Sequence, residues 1–339
     1  MGITQQMTTM KLSVIVPTYN RSNSLRKTLA SLAAASLPSS FLVEVIVVDN
    51  NSTDDTAEVV KEMATNFGEI KLDYLFESRQ GRSFAVNEGI RASEGDLVSM
   101  IDDDAQISDD WYIEVQRIFR DRWDELDFVG GKILPNLEIP PPDWVEPLKT
   151  GALCWRDFGD EEWAYDLNTP MITGTHGIFK RSVFTKVSFY NEHLGVKGKG
   201  FLGGEDEVLY DQLMEHGCRG IYNPRLLVYH DVPARRLTKG FYRGWLMGVG
   251  RSRRIADLHY KRIEGRRTLE IPRWIIRAAA EGGVQKLKCL MSRNETAALE
   301  AEMWPLIFLG FLYQAHFADS WFARIALRPF STVAKKISR

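Results

Sequence analysis

Three consecutive carboxylates, Asp102, Asp103 and Asp104, directly follow the apolar run Leu97 to Ile101. Like charges side by side repel, so the cluster costs stability unless water screens it or a cation completes it. Asp102 and Asp104 alternate, as ligand residues do. A calcium loop of the EF-hand kind opening at Asp102 needs Gly in its sixth place and Glu in its twelfth. Ile107 and Ile113 stand there, so that reading fails. One or two carboxylates with open positions instead suit Mg²⁺ or Mn²⁺ shared with a substrate diphosphate.

Other residues with chemical capacity sit in short loops. "PTYNR" (Pro17–Arg21) and "DNNSTD" (Asp49–Asp54) each follow an apolar run, as the Asp cluster does. One such loop is an ordinary polar turn; three on one sheet edge point to a ligand site. "GGEDEVL" places Glu205 and Asp206 after Gly203 and Gly204, at the start of a helical stretch. Carboxylates there are stabilised by the helix dipole, so capping competes with catalysis as their purpose. His230 ends the apolar run "RLLVYH" and gains interest only as a third ligand beside the Asp cluster. "GKGFLG" (Gly198–Gly203) fits a dinucleotide fingerprint but follows no buried strand, so it carries little weight.

The elements that position these loops alternate. Strands are expected at Leu12–Pro17, Val43–Asp49, Ile70–Glu77 and Leu97–Asp102, and helices at Leu25–Ala34, Ser83–Ala92 and Trp111–Phe119. A further helix opens at the capping-box pattern Ser52…Asp55. This rhythm implies βαβ units, a mostly parallel sheet, and ligands at the carboxyl ends of its strands. From about Gly130 the rhythm breaks at the Pro-rich "PNLEIPPPDWVEP". Strands are expected again near Met171–Phe179 and Leu226–His230, with a helix in "EDEVLYDQLMEHG" ended by Gly217.

The 339 residues include 44% hydrophobic ones, enough for a sizeable core. Their net charge of -2 hides an asymmetry: residues 231–339 hold 21 Lys+Arg against 9 Asp+Glu, and residues 1–230 hold 22 against 36. The tail is thus +12 and the front -14. Cys154, Cys218 and Cys289 form no CxxC pair, which argues against a zinc site or disulfide framework and fits a reducing cytosol. "MGITQQMTTM" lacks the basic and apolar regions of a secretory signal, and Gln6 breaks a myristoylation motif. No apolar run reaches the roughly 20 residues that span a bilayer.

In order, "VIVPTYNR", "VIVVDNNSTDDT", "GRSFAVNEGI", "MIDDDA", "GGEDEVL" and "VYH" resemble family 2 glycosyltransferases of the GT-A fold. These pieces span Leu12 to His230. The resemblance implies an α/β, Rossmann-like catalytic domain over 1–232, with a nucleotide-sugar half (about 11–130) and an acceptor half (131–232). A basic, mainly helical region over 233–339 follows. It implies that Pro17, Thr18, Tyr19, Arg21 and Asp49 hold the nucleoside. Asp102 approaches the ribose beside Asp103, and Asp104, with His230, binds Mg²⁺ or Mn²⁺. Asp206 is the implied general base, with Glu205 and Gly204 toward the acceptor. Where the family often has "ARN", this chain reads Ala85-Val86-Asn87, so a phosphate contact passes to Arg79 or Arg82.

The implied reaction is inverting transfer from a nucleoside-diphosphate sugar, a UDP-sugar first among them, to a saccharide or lipid-linked hydroxyl. The rivals are a sugar-1-phosphate nucleotidyltransferase and a non-catalytic carbohydrate- or membrane-binding scaffold. "PTYNRSNS" is not the Gly-rich basic loop of the first, and an intact Asp, Glu-Asp and His set speaks against the second.

The basic tail interleaves Arg and Lys with Phe241, Tyr242 and Trp245. It could cradle the donor diphosphate, bind a phosphate-linked acceptor or lie on an anionic membrane, which would put the protein at the cytoplasmic face as a peripheral enzyme. "WPLIFLGFLY" (Trp304–Tyr313) fits either a membrane interface or a core or dimer helix. No nucleic-acid-binding motif accompanies the charge.

Overall fold

A computed structural model describes residues 9–148, 151–198, 200–260 and 263–318. The last stretch of the basic tail, 319–339, lies outside the described residues. In chain order the elements are β1 (Met10–Thr18), α1 (Ser22–Ala34), β2 (Phe41–Asp49), α2 (Thr56–Ala64), β3 (Lys71–Phe76), α3 (Arg82–Ala92), β4 (Leu97–Ile101) and β5 (Ala105–Ile107). Then come α4 (Trp111–Arg122), β6 (Phe128–Leu137), the one-turn α5 (Val145–Leu148), β7 (Trp163–Ala164), β8 (His176–Lys180), the one-turn α6 (Val183–Lys186), α7 (Glu205–Glu215) and β9 (Gly220–Val232). The remainder is α8 (Lys239–Tyr260), β10 (Arg267–Thr268), β11 (Ile271–Pro272), α9 (Arg273–Met291), α10 (Glu295–Glu300) and α11 (Met303–His316).

Nine strands form one sheet in the order β3-β2-β1-β4-β8-β6-β9-β5, with β7 paired to β9. Strands β3, β2, β1 and β4 are parallel. Strand β8 is antiparallel to β4 and β6, and β5 and β7 are antiparallel to β9. Strands β1, β2 and β4 read as nearly continuous apolar runs because helices cover both faces, whereas the edge strand β3 is partly exposed. Leu12, Val14 and Val16 of β1 pack with Leu25 and Leu29 of α1 and Val115 and Phe119 of α4. Ile15, Ile46, Val98 and Met100 face the other way, into a cluster with Val86 and Ile90 of α3 and Leu209 and Leu213 of α7. Each such side chain contributes roughly 1.5–3 kcal/mol when fully buried.

Two expectations change. Helix α2 starts at Thr56, and its Asp55 makes no side-chain cap. Ser52 instead accepts the Asn20 amide at 2.9 Å, so the Ser52…Asp55 pattern ties two loops together rather than capping a helix. Trp304–Tyr313 lies within α11, whose Ile307 and Phe311 are buried with Leu246 and Ile275 in apolar clusters. These residues pack as those of a core helix do, while Leu309 of the same helix is 46% exposed.

The chain divides into two compact units that interleave: Met1–Asn136, Cys154–Gly198 and Glu205–Asp231 in the first, and Leu137–Leu153, Lys199–Gly204 and Val232–Arg339 in the second. In the second, α8 and α11 approach closely: a Cβ at Gly250 would overlap the Ile307 carbonyl, and one at Gly310 the Met247 carbonyl. Among the described residues, no helix is long and apolar enough to cross a membrane.

Candidate active site

The register of the parallel strands sets the site. Thr18 stands beside Asp49, and Asp49 beside Phe76, so β1, β2 and β3 end level. Ile15 pairs with Met100, which brings the Asp cluster to the same edge. The short strand β5 turns back against β9, pairing Ala105 with His230, and so sets the imidazole next to Asp104. His230 Nε2 lies 3.2 Å from Asp104 Oδ1.

Each aspartate has a distinct set of partners. Asp102 accepts from Arg82 at 2.8 Å and from Thr175 Oγ1 at 2.6 Å. Asp103 accepts from Thr18 Oγ1 and from Arg21, both at 2.8 Å. Asp104 shares that Arg21 guanidinium, again at 2.8 Å. Burial raises the Asp103 carboxyl to about 6, even with Arg21 drawing it down. Asp102 stays below the ordinary carboxylate range: burial raises it, and Arg82 with the Thr175 hydroxyl more than offsets that.

The carboxylates of α7 meet the cluster through one side chain. Arg82, first residue of α3, reaches Glu205 at 3.3 Å and Asp206 at 3.8 Å while holding Asp102. Burial opposes its charge, but Asp102, Asp206 and Glu205 outweigh that and keep it protonated well above the usual arginine range. Glu205 is 5% exposed. Burial and then the Asp206 charge push its carboxyl up to about 7. Burial likewise raises Asp206, against Arg82. Both carboxylates sit in the first turn of α7, where the dipole favours them. A plain cap faces solvent, however, and the buried Glu205 faces the half-buried Arg82 guanidinium.

Backbone devices hold Arg82. Gly81 has φ +146, open to glycine, and its amide donates to Asn50 Oδ1 at 2.7 Å. Asn87, one helical face on, donates to the Tyr190 carbonyl at 2.9 Å and accepts from the Tyr190 amide at 2.9 Å. Gly204, directly before α7, has φ +87.

The structure therefore brings together Thr18, Arg21, Arg82, Asp102, Asp103, Asp104, Glu205, Asp206 and His230. Asp49 stands level with them but is occupied by Tyr74 Oη at 2.8 Å and the Ser52 amide at 2.8 Å. Pro17 is buried and Tyr19 half-buried, and neither has a polar contact with the group among the described residues. Of the two candidate arginines, Arg82 is in the site; Arg79 pairs with Glu77 and stacks on Phe84. Thr175 escaped the sequence reading, because Met171–Phe179 reads as one strand whereas β8 begins at His176. Its only signal was the small-residue run "TGTHG".

One ligand atom each from Asp102, Asp104 and His230 lies within 4.8 Å of the others. Two hard carboxylates beside one borderline imidazole fit a divalent cation such as Mn²⁺ or Mg²⁺, with positions left for substrate oxygens.

Residues 13–188 match the family described as Glycosyl transferase family 2. A glucosyl-dolichyl phosphate glucuronosyltransferase of Haloferax volcanii is 28% identical over 265 residues, 74% of this chain and 79% of that protein. A dolichyl N-acetyl-alpha-D-glucosaminyl phosphate 3-beta-D-2,3-diacetamido-2,3-dideoxy-beta-D-glucuronosyltransferase of Methanococcus voltae is 30% identical over 202 residues, 55% of this chain and 62% of that one. In fold the chain resembles the mannosyltransferase PcManGT of Pyrobaculum calidifontis, solved with GDP-Man and Mn²⁺, with a TM-score of 0.53 at 20% identity over 95% of this chain and 80% of that one. It also resembles S. aureus TarS 1-349 with UDP-GlcNAc, with a TM-score of 0.52 at 18% identity over 88% and 90%.

Proposed function

The chain belongs to glycosyl transferase family 2 and is a glycosyltransferase, and from that premise we propose that it moves a sugar from a UDP-sugar to a hydroxyl of a lipid-linked saccharide, with inversion. The observation that carries this is the joining, through Arg82, of a metal-competent trio to the carboxylate pair at the start of α7. The relatives named for dolichyl-linked substrates support the acceptor class, and the GDP-Man and UDP-GlcNAc complexes of two structural neighbours support a nucleoside-diphosphate sugar as the donor class.

Asp102, Asp104 and His230 would hold Mg²⁺ or Mn²⁺, whose Lewis acidity would stabilise charge gathering on the leaving diphosphate. The nucleoside would lie over the level ends of β1, β2 and β4, against Thr18, Tyr19 and Asp49, with Pro17 shaping the loop beneath. Arg21 and Arg82 are the cations nearest that edge and would meet the donor's anionic groups. Asp206 takes the proton of the acceptor hydroxyl as that oxygen bonds to the anomeric carbon. The bond from that carbon to the diphosphate breaks, and its electron pair leaves with the diphosphate. Glu205 and the Gly204 backbone orient the acceptor. Attack from the face opposite the leaving group inverts the centre. A lipid-linked acceptor places the work at a membrane surface, reached as a peripheral protein.

The test is Asp206→Asn, which keeps shape and removes the base. Turnover should fall about a hundred- to ten-thousand-fold while the donor dissociation constant holds. Near-native transfer by this variant would put the base elsewhere; lost donor binding would make Asp206 a ligand or structural group.

A further inference from the structure

We propose that the outer face of α9 seats on an anionic bilayer surface. This deepens the lipid-linked acceptor reading by naming the surface that meets the lipid. Helix α9 has 19 residues and is about 28 Å long. Its inner side buries Ile275 and Cys289, and Gly282 lies close to Pro305 and the Ala301 carbonyl. Its outer side carries one continuous line spaced four and three residues apart: Arg273, Arg277, Ala280, Val284, Leu287 and Met291, all exposed. Val284 is 54%, Leu287 63% and Met291 79% exposed, and the neighbouring Leu290 is 52%. Among the described residues nothing covers this row, and contiguous exposed apolar patches mark interaction surfaces.

The charges on the same face name the partner. Arg273, Arg277 and Lys288 of α9, and Arg293 just past its end, have no carboxylate partner among the described residues; they outnumber the one exposed acid of the helix, Glu281, and the inward Lys286 pairs with Glu302 at 3.0 Å. Arg273 and Arg277 stand near the amino end of α9, whose first turn holds no acid. The helix dipole disfavours cations there, so these two do not serve the helix itself. Arg273 Nε also donates to Thr268 Oγ1 at 3.1 Å, fixing the β10–β11 hairpin beside it. The hairpin tip is Leu269, 75% exposed and held at φ +50, where a bulky side chain is uncommon.

A row with four-and-three spacing also suits a second helix, but a helix pair keeps its seam apolar apart from single polar places. Here the row opens with two arginines. A bilayer accepts both halves: phosphates meet the guanidinium groups, and acyl chains meet Val284, Leu287 and Met291. Helix α11, the more apolar segment by sequence, is spent on packing inside the second unit.

The experiment is flotation of the full chain with acceptor-free vesicles of phosphatidylcholine, with and without phosphatidylglycerol. Binding should need the anionic lipid. The pair Arg273→Ala and Arg277→Ala should weaken it about fivefold per charge. The pair Leu287→Glu and Met291→Glu should weaken it more than tenfold, and these two side chains, 63% and 79% exposed, can change without cost to the fold. Leu167→Glu, 74% exposed in the first unit, should change nothing. Binding indifferent to both α9 pairs overturns the proposal. So does a chain that ignores vesicles and sediments as a dimer broken by the Leu287→Glu pair. Because the vesicles hold no acceptor, flotation that persists in a preparation unable to transfer sugar supports this surface and counts only against the proposed reaction.

Discussion

At the scale of single residues, Glu205 offers a pH-dependent test. Its carboxyl is raised from 4.5 to about 7, first by burial and then by Asp206, and Arg82 offsets only part of this. Between those values the folded chain keeps a proton that the unfolded chain has lost. The stability Glu205 contributes is therefore full below about pH 4.5 and is lost as pH rises toward 7. Glu205→Gln cannot ionise, so its stability relative to the parent should rise between pH 5 and pH 8, by on the order of 1–3 kcal/mol. Urea unfolding at both pH values measures this. An unchanged difference would mean that Arg82 neutralises Glu205 fully. Motif reading reached Asp102, Asp104, Asp206 and His230, because charges at strand and helix ends stand out against apolar runs. It could not decide between Arg79 and Arg82, which are three residues apart in a loop. Only the left-handed Gly81 and its bond to Asn50 turn one inward.

At the scale of elements, the first half of the sheet was legible and the second half only in part: the strands expected near Met171–Phe179 and Leu226–His230 fall on β8 and β9, whereas β5, β6 and β7 went unread. Strands β1, β2 and β4 are buried on both faces, and their apolar runs announce them. Strand β6 reads "FVGGKILPNL", with two glycines and a proline, and passes for a loop. Its glycines are required by close neighbours: a Cβ at Gly130 would overlap the Tyr165 hydroxyl, and one at Gly131 the His176 ring. Strand β5 is three residues long, and only its partner β9 makes it a strand. The same logic of close approach governs α8 and α11. Glycine inside a helix costs about 1 kcal/mol against alanine, so Gly310 is an expense unless the backbones must touch. Gly310→Ala should therefore destabilise the second unit by about 1–3 kcal/mol rather than stabilise it, since its Cβ would meet the Met247 carbonyl. A thermal scan followed by Trp fluorescence reports it. A raised melting temperature would show that the helices can part without loss.

At the scale of the whole molecule, the division of charge sets two salt dependences of opposite sign. The site gathers five carboxylates, Asp102, Asp103, Asp104, Glu205 and Asp206, against Arg21, Arg82 and His230. Burial opposes the His230 charge, but Cys154 and Asp104 hold the imidazole above its ordinary range, and Glu205, raised to about 7, keeps part of its proton near neutrality. The site lies within residues 1–230, which carry -14, and it is proposed to receive an anionic nucleotide. Without a divalent cation the field there opposes binding, and salt screens that opposition. The tail, at +12, is proposed to meet anionic lipid, and there salt screens an attraction. Raising salt from 50 to 200 mM should thus weaken vesicle binding. The same change should leave cation-free UDP binding unchanged or slightly stronger, and Mn²⁺ should strengthen UDP binding at either salt. Calorimetry with UDP, with and without chelator, and flotation at the two salts give all the signs. UDP binding that is tight without Mn²⁺ and collapses with salt would mean that Arg21 and Arg82 already dominate the site. The carboxylate trio would then serve the fold rather than a cation. The alternation of strands and helices and the charge asymmetry both lie in the sequence as linear patterns. What the sequence could not display is that Arg82, Asp102 and Asp206, far apart along the chain, share one guanidinium contact, because that depends on strand register and on the loop through Gly81.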